Sequence, residues 1–499
     1  MYLRQSRRDR QSVGNKWPGG AAIGNGRPAV TWAVTSTIAL TLVDGARVVV
    51  PDSLNLITPY VLREQQDWFE DEIKFVRRLL RPGDKVVDIG ASYGVYTLTM
   101  AQAVGPSGSV WAFEPASETA RLLAEGIVAN SFTQVVLERS ALSSAPGTAR
   151  LSLNENSELN ALIAGGESSA PSETVPVVTL DECMERHGWR DIEFMKIDAE
   201  GEEANILRGG ARFFSELSPL VLYEIRAGSD VHLELVRDFA ALGYASYRLV
   251  PGLNVLVAFD PGITPDEYLL NLFCCRPDRA ERLAARGLLV SVSHLAGASR
   301  AVATQYDWRQ TIAKLPYATQ LAERWERTVA AGDSAEVEAA LSHYTASRDP
   351  SLPSNARFAA LETSFNLLAK LCERDPSRLR LGTLARVARD YGARSLAVNA
   401  LRQLASGLQI DRVDPSEPFL PPGERFDSIP TGPVAGRWLL AAVLEEFERL
   451  LAFSSFYTGP SARSRLETIR ALGFGSPEME SRLRLVQERF GPPPITARA

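Results

Sequence analysis

The stretch VVDIGASYGVYTL, residues 86–98, constrains this chain more than any other. It reads as a buried β-strand ending in Asp88, a glycine turn, and the start of a helix. A second apolar run, Val110 to Phe113, ends in Glu114. Strand, glycine turn, helix, strand and acid make the unit with which a doubly wound α/β sheet holds an adenosine-bearing cofactor at the carboxyl ends of its strands. Gly90 and Gly94 lack a Cβ, so backbone can approach a ligand closely there. A dinucleotide site is written G-x-G-x-x-G, with the pyrophosphate on a helix N-terminus. The spacing here is G-x-x-x-G, and no phosphate cradle is written. S-adenosylmethionine (SAM) has no phosphate; it has a sulfonium, an ammonium and a ribose diol. Asp88 suits the cationic part, and Glu114 suits the diol, because one carboxylate accepts both bonds. The alternative is that Asp88 caps the helix and the glycines only turn the chain. The second acid, at the proper distance, favours the cofactor.

At 499 residues the chain exceeds a single core, and several domains are expected. Residues 1–28 are basic and read as a disordered tail. Residues 29–264 read as an α/β domain. It has a hairpin over 30–50 turning at Asp44-Gly45, helical spacing over 59–80, and βα units from residue 85 onward. An antiparallel pair, 245–250 and 254–259, closes it. Strands alternating with helices argue for a mainly parallel sheet covered on both faces. The polar stretch 143–173 interrupts the rhythm. From about 265 the strand signals stop, and an all-α domain runs to 499. Its helical runs are 277–287, 313–331, 334–347, 354–373, 377–391, 393–407, 435–453, 461–472 and 477–490. Asp333 and Glu336 resemble a capping box. The segment 384–401 resembles half of a tetratricopeptide-type repeat, without the fixed period that would establish one, so a plain bundle stands beside it. The Pro-rich loop 414–433 divides this part.

A net charge of −6 with no basic field argues against a nucleic-acid partner. No apolar run is long enough to span a bilayer, and no apolar h-region follows the basic N-terminus closely. A cytoplasmic location is the expectation. Cys183, Cys274, Cys275 and Cys372 fit no zinc or disulfide framework and read as buried thiols. His187, His232, His294 and His343 lie far apart, which speaks against a His-activated nucleophile.

The second decisive stretch is FMKIDAEGEE, residues 194–203. A strand ends at Ile197, and acids follow at Asp198 and Glu200. A further strand, LVLYE, ends at Glu224. In a parallel sheet Asp88, Glu114, Asp198, Glu200 and Glu224 gather at one edge. Their mutual repulsion there must be offset by cations, a metal or hydrogen bonds. Together VVDIGASYGVYTL, AFEP, ERSALSS, TLDE and FMKIDAEGEEANILRGG resemble the FkbM family of SAM-dependent methyltransferases over residues 45–260. The most specific part is K-I-D-x-E-G-x-E-x-x-x-L-x-G. The resemblance implies a class I methyltransferase (Rossmann-like) fold, SAM as cofactor, and most often O-methylation. The implied acceptors are sugars of glycans and glycolipids, or polyketides. It implies nothing about residues 265–499. Carried onto this chain, it makes Asp88, Gly90, Ala91 and Gly94 the SAM loop and Glu114 the ribose acid. It places Ser140 and Ala141 near the adenine, where many methyltransferases have an acid. Lys196, Asp198 and Glu200 then face the reaction space, with Ala199 where the family often has Val.

Methyl transfer from a sulfonium is an in-line displacement in which the protein orients the reactants and excludes water. A hydroxyl is a poor nucleophile and needs a base or a metal. No His lies in these motifs. The base is then a carboxylate, Glu200 or Asp198 first and Glu224 third. A divalent metal on oxygen ligands is the alternative, though no ligand pattern for one is written. Lys196 either acts in catalysis or pairs with the acids. Asp198 could instead cap the helix near Gly201, and Glu202 and Glu203 complement its N-terminus. Asn154, Asn156 and Asn160 read as a solvated loop, Tyr96 as packing, Tyr93 as a cofactor flank, and Gln65 and Trp68 as cover. The resulting expectation is an O-methyltransferase acting on a hydroxyl-bearing acceptor, a sugar by preference. Two other readings stand against it. One is a scaffold that recruits a protein partner through its C-terminal helices on a vestigial SAM fold. The other is an NAD-linked enzyme, which the glycine spacing disfavours.

Overall fold

The structure, a computed structural model, describes residues 36–163, 171–227, 230–291, 306–330 and 335–491. The basic tail 1–28 and Asp333 of the expected capping box lie outside the described residues. In chain order the strands are β1 (Thr37–Thr41), β2 (Arg47–Pro51), β3 (Lys85–Ile89), β4 (Ser109–Phe113) and β5 (Val135–Glu138). Next come β6 (Ala141–Leu142), β7 (Gly147–Ser152), β8 (Ser172–Val178), β9 (Phe194–Ile197) and β10 (Leu220–Glu224). The last are β11 (Arg226–Ala227), β12 (Asp230–Val231), β13 (Ala245–Val250), β14 (Val255–Ala258) and β15 (Asn271–Cys275).

Eight of these form one sheet in the order β14-β13-β15-β10-β9-β3-β4-β5. From β5 to β10 all neighbours are parallel. β15 lies antiparallel between β10 and β13, and β14 pairs antiparallel at the edge. This is the class I methyltransferase sheet. The near-continuous burial of β3, β4 and β9 is the signature of a sheet covered on both faces. One apolar cluster holds Val86, Phe194 and Leu222, and the opposite one holds Val87, Met195 and Val221.

β15 is the main departure from the sequence expectation, since strands were expected to cease before 265. All five of its residues, NLFCC, are buried, with Cys274 and Cys275 on opposite faces. A short, fully buried run lacks the alternation that marks a strand. The helical spacing over 59–80 divides into Ile57–Gln65 and Asp71–Leu79. Gln66 turns left-handed at φ 56°, and Asp67 is held by two bonds of 2.7 Å from the Arg77 guanidinium. After β9 the chain likewise forms two short helices in succession, Glu203–Gly209 and Ala211–Glu216. The polar stretch 143–173 contributes β7 and the start of β8 to a small sheet of order β6-β8-β7.

Helices then follow, among them Ala335–Arg348, Ser354–Arg374, Arg378–Tyr391, Arg394–Gly407, Ala435–Leu451, Pro460–Ala471 and Pro477–Phe490. Of the run expected over 313–331, only Ala322–Ala330 is an α-helix; a 3-10 turn, Ile312–Lys314, precedes it. The helical core, with Trp325, Leu384 and Trp438, continues into Val250, Val255 and Val257 of the sheet edge. The backbones also meet: Gly252 donates to the Asp390 carbonyl at 2.9 Å, and a Cβ on Gly252 would come 2.4 Å from that of Asp390. The four cysteines are buried and unpaired. Among the described residues no helix is long and apolar enough to cross a membrane.

Candidate functional site

The carboxyl ends of β3, β4, β9 and β10 open into one cavity of about 200 Å³. Asp88, Gly90, Ala91, Glu114, Ser140, Ala141, Lys196, Asp198, Glu200 and Glu224 all wall it. Gly94 does not. It opens the helix Val95–Val104 at φ 87°, where a Cβ would lie 2.3 Å from Leu123. Its role is therefore chain reversal and packing rather than ligand contact. Gly90 is needed for a reason the sequence did not disclose: a Cβ there would sit 1.8 Å from the Asp198 carbonyl oxygen. The β3 turn thus packs directly on the β9 turn, which fixes Asp88 and Asp198 relative to each other.

The acids at this edge differ in their partners. Asp88 is fully buried; Oδ2 accepts from the Thr97 hydroxyl at 2.5 Å, while Oδ1 has no partner among the described residues. Burial raises its pKa, opposed by Lys196 and Thr97. Glu114 accepts from the backbone N–H groups of Ser92 at 2.8 Å and Ala116 at 2.9 Å. Burial still pushes its pKa up to about 7. The hydroxyls of Ser92 and Ser140 are likewise buried and unpaired.

Beside Asp88, on the adjacent strand β9, the Lys196 ammonium lies 2.7 Å from Asp198 Oδ2 and 5.1 Å from the Tyr96 ring centroid. Burial alone would pull Lys196 down, but Asp198 and Asp88 more than offset it, and its pKa is raised. Asp198 therefore serves an ion pair rather than a helix cap. The turn at 199–202 carries Glu200 in a left-handed conformation, φ 48°, followed by Gly201 at φ 99°. Non-glycine residues adopt that region only where surrounding contacts impose it. Carboxylate oxygens of Asp198, Glu200 and Glu224 come within 4.8 Å of one another. Burial, then Asp198 and Glu203, pushes Glu200 up to about 8. Burial, Asp198 and Glu200 raise Glu224 well above the carboxylate range. Glu203 bonds the backbone N–H of Ala199 at 3.0 Å, as a turn brace, while Glu202 takes the Ser143 hydroxyl at 2.8 Å.

Several wall residues were not singled out in the sequence, or were read otherwise. Glu70 follows the helix break; it accepts from the Tyr96 hydroxyl at 2.6 Å, and burial raises its pKa. Tyr96, expected to pack, lines the cavity, while Tyr93, expected to flank it, does not. Trp68 lines it, and Gln65 instead donates to the Phe453 carbonyl at 2.7 Å. Asn156 and Glu158, in the stretch expected to be solvated, accept from the N–H groups of Ile57 at 3.0 Å and Thr58 at 3.2 Å. Asn160 joins the wall, and Asn154 bonds within its own loop. Tyr457 reaches the cavity from the helical part. No local sequence signal marks it, because its neighbours across the cavity are hundreds of residues away in the chain.

Residues 88–245 match the family model described as the methyltransferase FkbM domain. This segment is an FkbM methyltransferase domain. It contains every acid of the cavity's sheet edge, from Asp88 to Glu224. Among solved structures, the methyltransferase FkbM from Methylobacillus flagellatus KT is similar at 17% identity, over 40% of this chain and 50% of that one, with a TM-score of 0.27. A SAM-dependent O-methyltransferase from Thermotoga maritima is similar at 14% identity, over 48% and 77%, with a TM-score of 0.24. An rRNA methylase from Streptococcus thermophilus is similar at 11% identity, over 41% and 93%, with a TM-score of 0.25. No curated protein matches the chain significantly.

Proposed function

We propose that the FkbM domain of this chain transfers a methyl group from SAM to a hydroxyl oxygen, with a sugar as the acceptor class. The observation that carries the reading is the pairing of two chemistries in one cavity. Unsatisfied buried acceptors and hydroxyls (Asp88 Oδ1, Ser92, Ser140) line it, together with a carboxylate group of Asp198, Glu200 and Glu224. Orphaned buried polar atoms are costly unless a ligand completes them. Asp88 Oδ1 suits an ammonium, the outer lone pairs of Glu114 suit a ribose diol, and Ser140 with Ala141 borders the adenine side. SAM supplies an activated methyl group. The chain orients it, excludes water with Trp68, Phe69 and Tyr457, and removes the acceptor proton. Glu200 takes that proton, Glu224 shares the charge, and Lys196 holds Asp198 in place.

Calorimetry with SAM and S-adenosylhomocysteine tests the donor site directly; no binding of either would sink the reading. Asp88→Asn should weaken SAM by about 10- to 100-fold, the worth of one charge-assisted bond. Its melting temperature should not fall, because the change removes a desolvated carboxylate.

The raised acids also fix a pH dependence. Above pH 4.5 the unfolded chain has released protons that folded Glu114 and Glu200 keep until about 7 and 8. The folded state binds more protons across this window, so ligand-free stability falls as pH rises through it. A ligand whose diol donates to Glu114 favours the ionised form of that acid. SAM should therefore bind more tightly at pH 8.5 than at pH 6, releasing protons on binding, and turnover should rise with pH through about 8. Isothermal titration in buffers of different ionisation enthalpy reads the proton release. Turnover unaffected by chelator assigns proton removal to the carboxylates alone. Loss restored by magnesium assigns Asp198, Glu200 and Glu224 to a cation.

A further inference from the structure

The cavity at the sheet edge adjoins another. Trp68, Phe69, Glu70 and Leu270 wall both it and a larger cavity of about 870 Å³ between the sheet and the helical part. A row of rings leads away from that shared wall. Trp68 and Phe69 lie 4.4 Å apart between centroids, Phe69 and Phe453 4.9 Å, and Phe453 and Tyr268 6.0 Å. Arg394 ends the row, its guanidinium 4.3 Å from the Phe453 centroid and 4.7 Å from that of Tyr268. Its Nε and Nη2 donate to the carbonyls of Leu450 at 3.0 Å and Arg449 at 3.4 Å.

No carboxylate comes within ion-pair distance of Arg394 among the described residues. Its charged neighbours along the cavity mostly pair with one another, although Glu446 Oε2 has no hydrogen-bond partner among the described residues, and Asp71, Asp266 and Glu446 act on Arg394 only from beyond ion-pair distance. Arg389 pairs with Asp390 at 2.6 Å and Glu446 at 3.1 Å, and Arg482 pairs with Glu64 at 3.3 Å. Arg449 pairs with Glu478. Asp266 accepts from the backbone N–H of Ser395 at 2.9 Å, and Asp71 pairs with Lys74 at 2.7 Å. Arg394 is thus a cation stacked between two rings in a cavity wall, with backbone carbonyls as its only polar partners. A guanidinium offers a planar fork that fits a carboxylate or phosphate, and desolvated cations gain most from such a partner. Aromatic walls with a few fixed polar groups suit the apolar faces of a ring that carries hydroxyls.

We infer that the methyl acceptor lies in this interdomain cavity. We infer further that it is a saccharide bearing an anionic group, a carboxylate or a phosphate ester, seated on Arg394. Its ring lies along Phe453 and Phe69, and one hydroxyl reaches the shared wall at Glu70. This rests on the reading of the adjoining cavity as the methyl-donor site. The helical part then supplies half of the acceptor site rather than an independent binding function.

The test uses the full chain saturated with S-adenosylhomocysteine and three probes: glucuronic acid, glucose 6-phosphate and glucose. Affinities are read by saturation-transfer NMR and calorimetry. At least one anionic sugar should bind about tenfold more tightly than glucose. Arg394→Gln should erase that preference, and Arg394→Lys should keep part of it. Preference for glucuronic acid or for glucose 6-phosphate tells a carboxylate from a phosphate ester. Equal binding of all three, binding of none, or a preference that survives Arg394→Gln overturns the inference. A thermal shift with S-adenosylhomocysteine alone reads the donor site separately. A shift without anion preference removes only the acceptor assignment; no shift removes the donor reading and this one with it.

Discussion

Replacing Arg482 by Ala is expected to destabilise the folded chain by about 3–5 kcal/mol, the usual cost of leaving one charge of a buried pair uncompensated. Arg482 is 2% exposed and Glu64 3%. Their ion pair, 3.3 Å, joins the helix Pro477–Phe490 to the helix Ile57–Gln65, which begins the cover of the cavity. Glu64 also takes the Ser455 N–H, at 3.0 Å to Oε2, and the Ser455 hydroxyl, which in turn lies 2.9 Å from the Tyr60 hydroxyl. Ser455 starts the short helix that carries Tyr457 to the cavity. The loss should therefore appear twice, as a lower urea midpoint and as weaker SAM binding in the protein that remains folded. The double variant Glu64→Leu with Arg482→Met should recover only part of the stability, since it removes the uncompensated charge but leaves the buried Ser455 N–H without its acceptor. A change below about 1 kcal/mol in Arg482→Ala would mean that the two helices do not enclose this pair in solution.

What was legible in the sequence was local. An apolar run that ends in an acid, followed by a glycine turn, specifies a strand, its carboxyl end and the helix after it within a dozen residues. Five acids could therefore be assigned to one edge, and Asp88, Glu114, Asp198, Glu200 and Glu224 do share one cavity. Features set by distant partners were not legible. The spacing over 59–80 fits helix on both sides of Gln66. Asp67, bonded to Arg77, follows the break, and the chain after it carries Trp68, Phe69 and Glu70 to the wall. Tyr93 and Tyr96 were interchanged because Tyr93 lies ahead of the helix, in the turn that Gly94 closes at φ 87°, and Tyr96 lies within the helix, so no common periodicity relates their directions. β15 carries no alternation, since both of its faces are buried. Gly90 was expected for closeness to a ligand; the nearer constraint is the Asp198 carbonyl.

Glu200→Gln is expected to lower kcat by ~10²–10⁴, the worth of a positioned general base, while SAM binding stays within about twofold. The carboxylate shares the cavity with Asp88 and Glu114 but makes none of their hydrogen bonds, so its loss removes no bond assigned to the donor. Its raised pKa, about 8, comes from burial and from Asp198 beside it, so it holds a proton more firmly than an exposed glutamate does. That is what proton removal from a hydroxyl requires of a carboxylate. Glutamine keeps the size and the left-handed turn but cannot accept the proton, which separates chemistry from folding. Glu224→Gln is the comparison. Oxygens of Glu200 and Glu224 lie within 4.8 Å of each other, close enough for their charges to interact. Removing Glu224 should lower the pKa of Glu200 and move the rising limb of the pH–rate profile to lower pH, with a smaller loss of kcat. Methyl transfer from labelled SAM into the acceptor fraction of a lysate gives the rate. Unchanged kcat in Glu200→Gln, with the limb still near pH 8, would pass the role of base to Glu224 or Glu70.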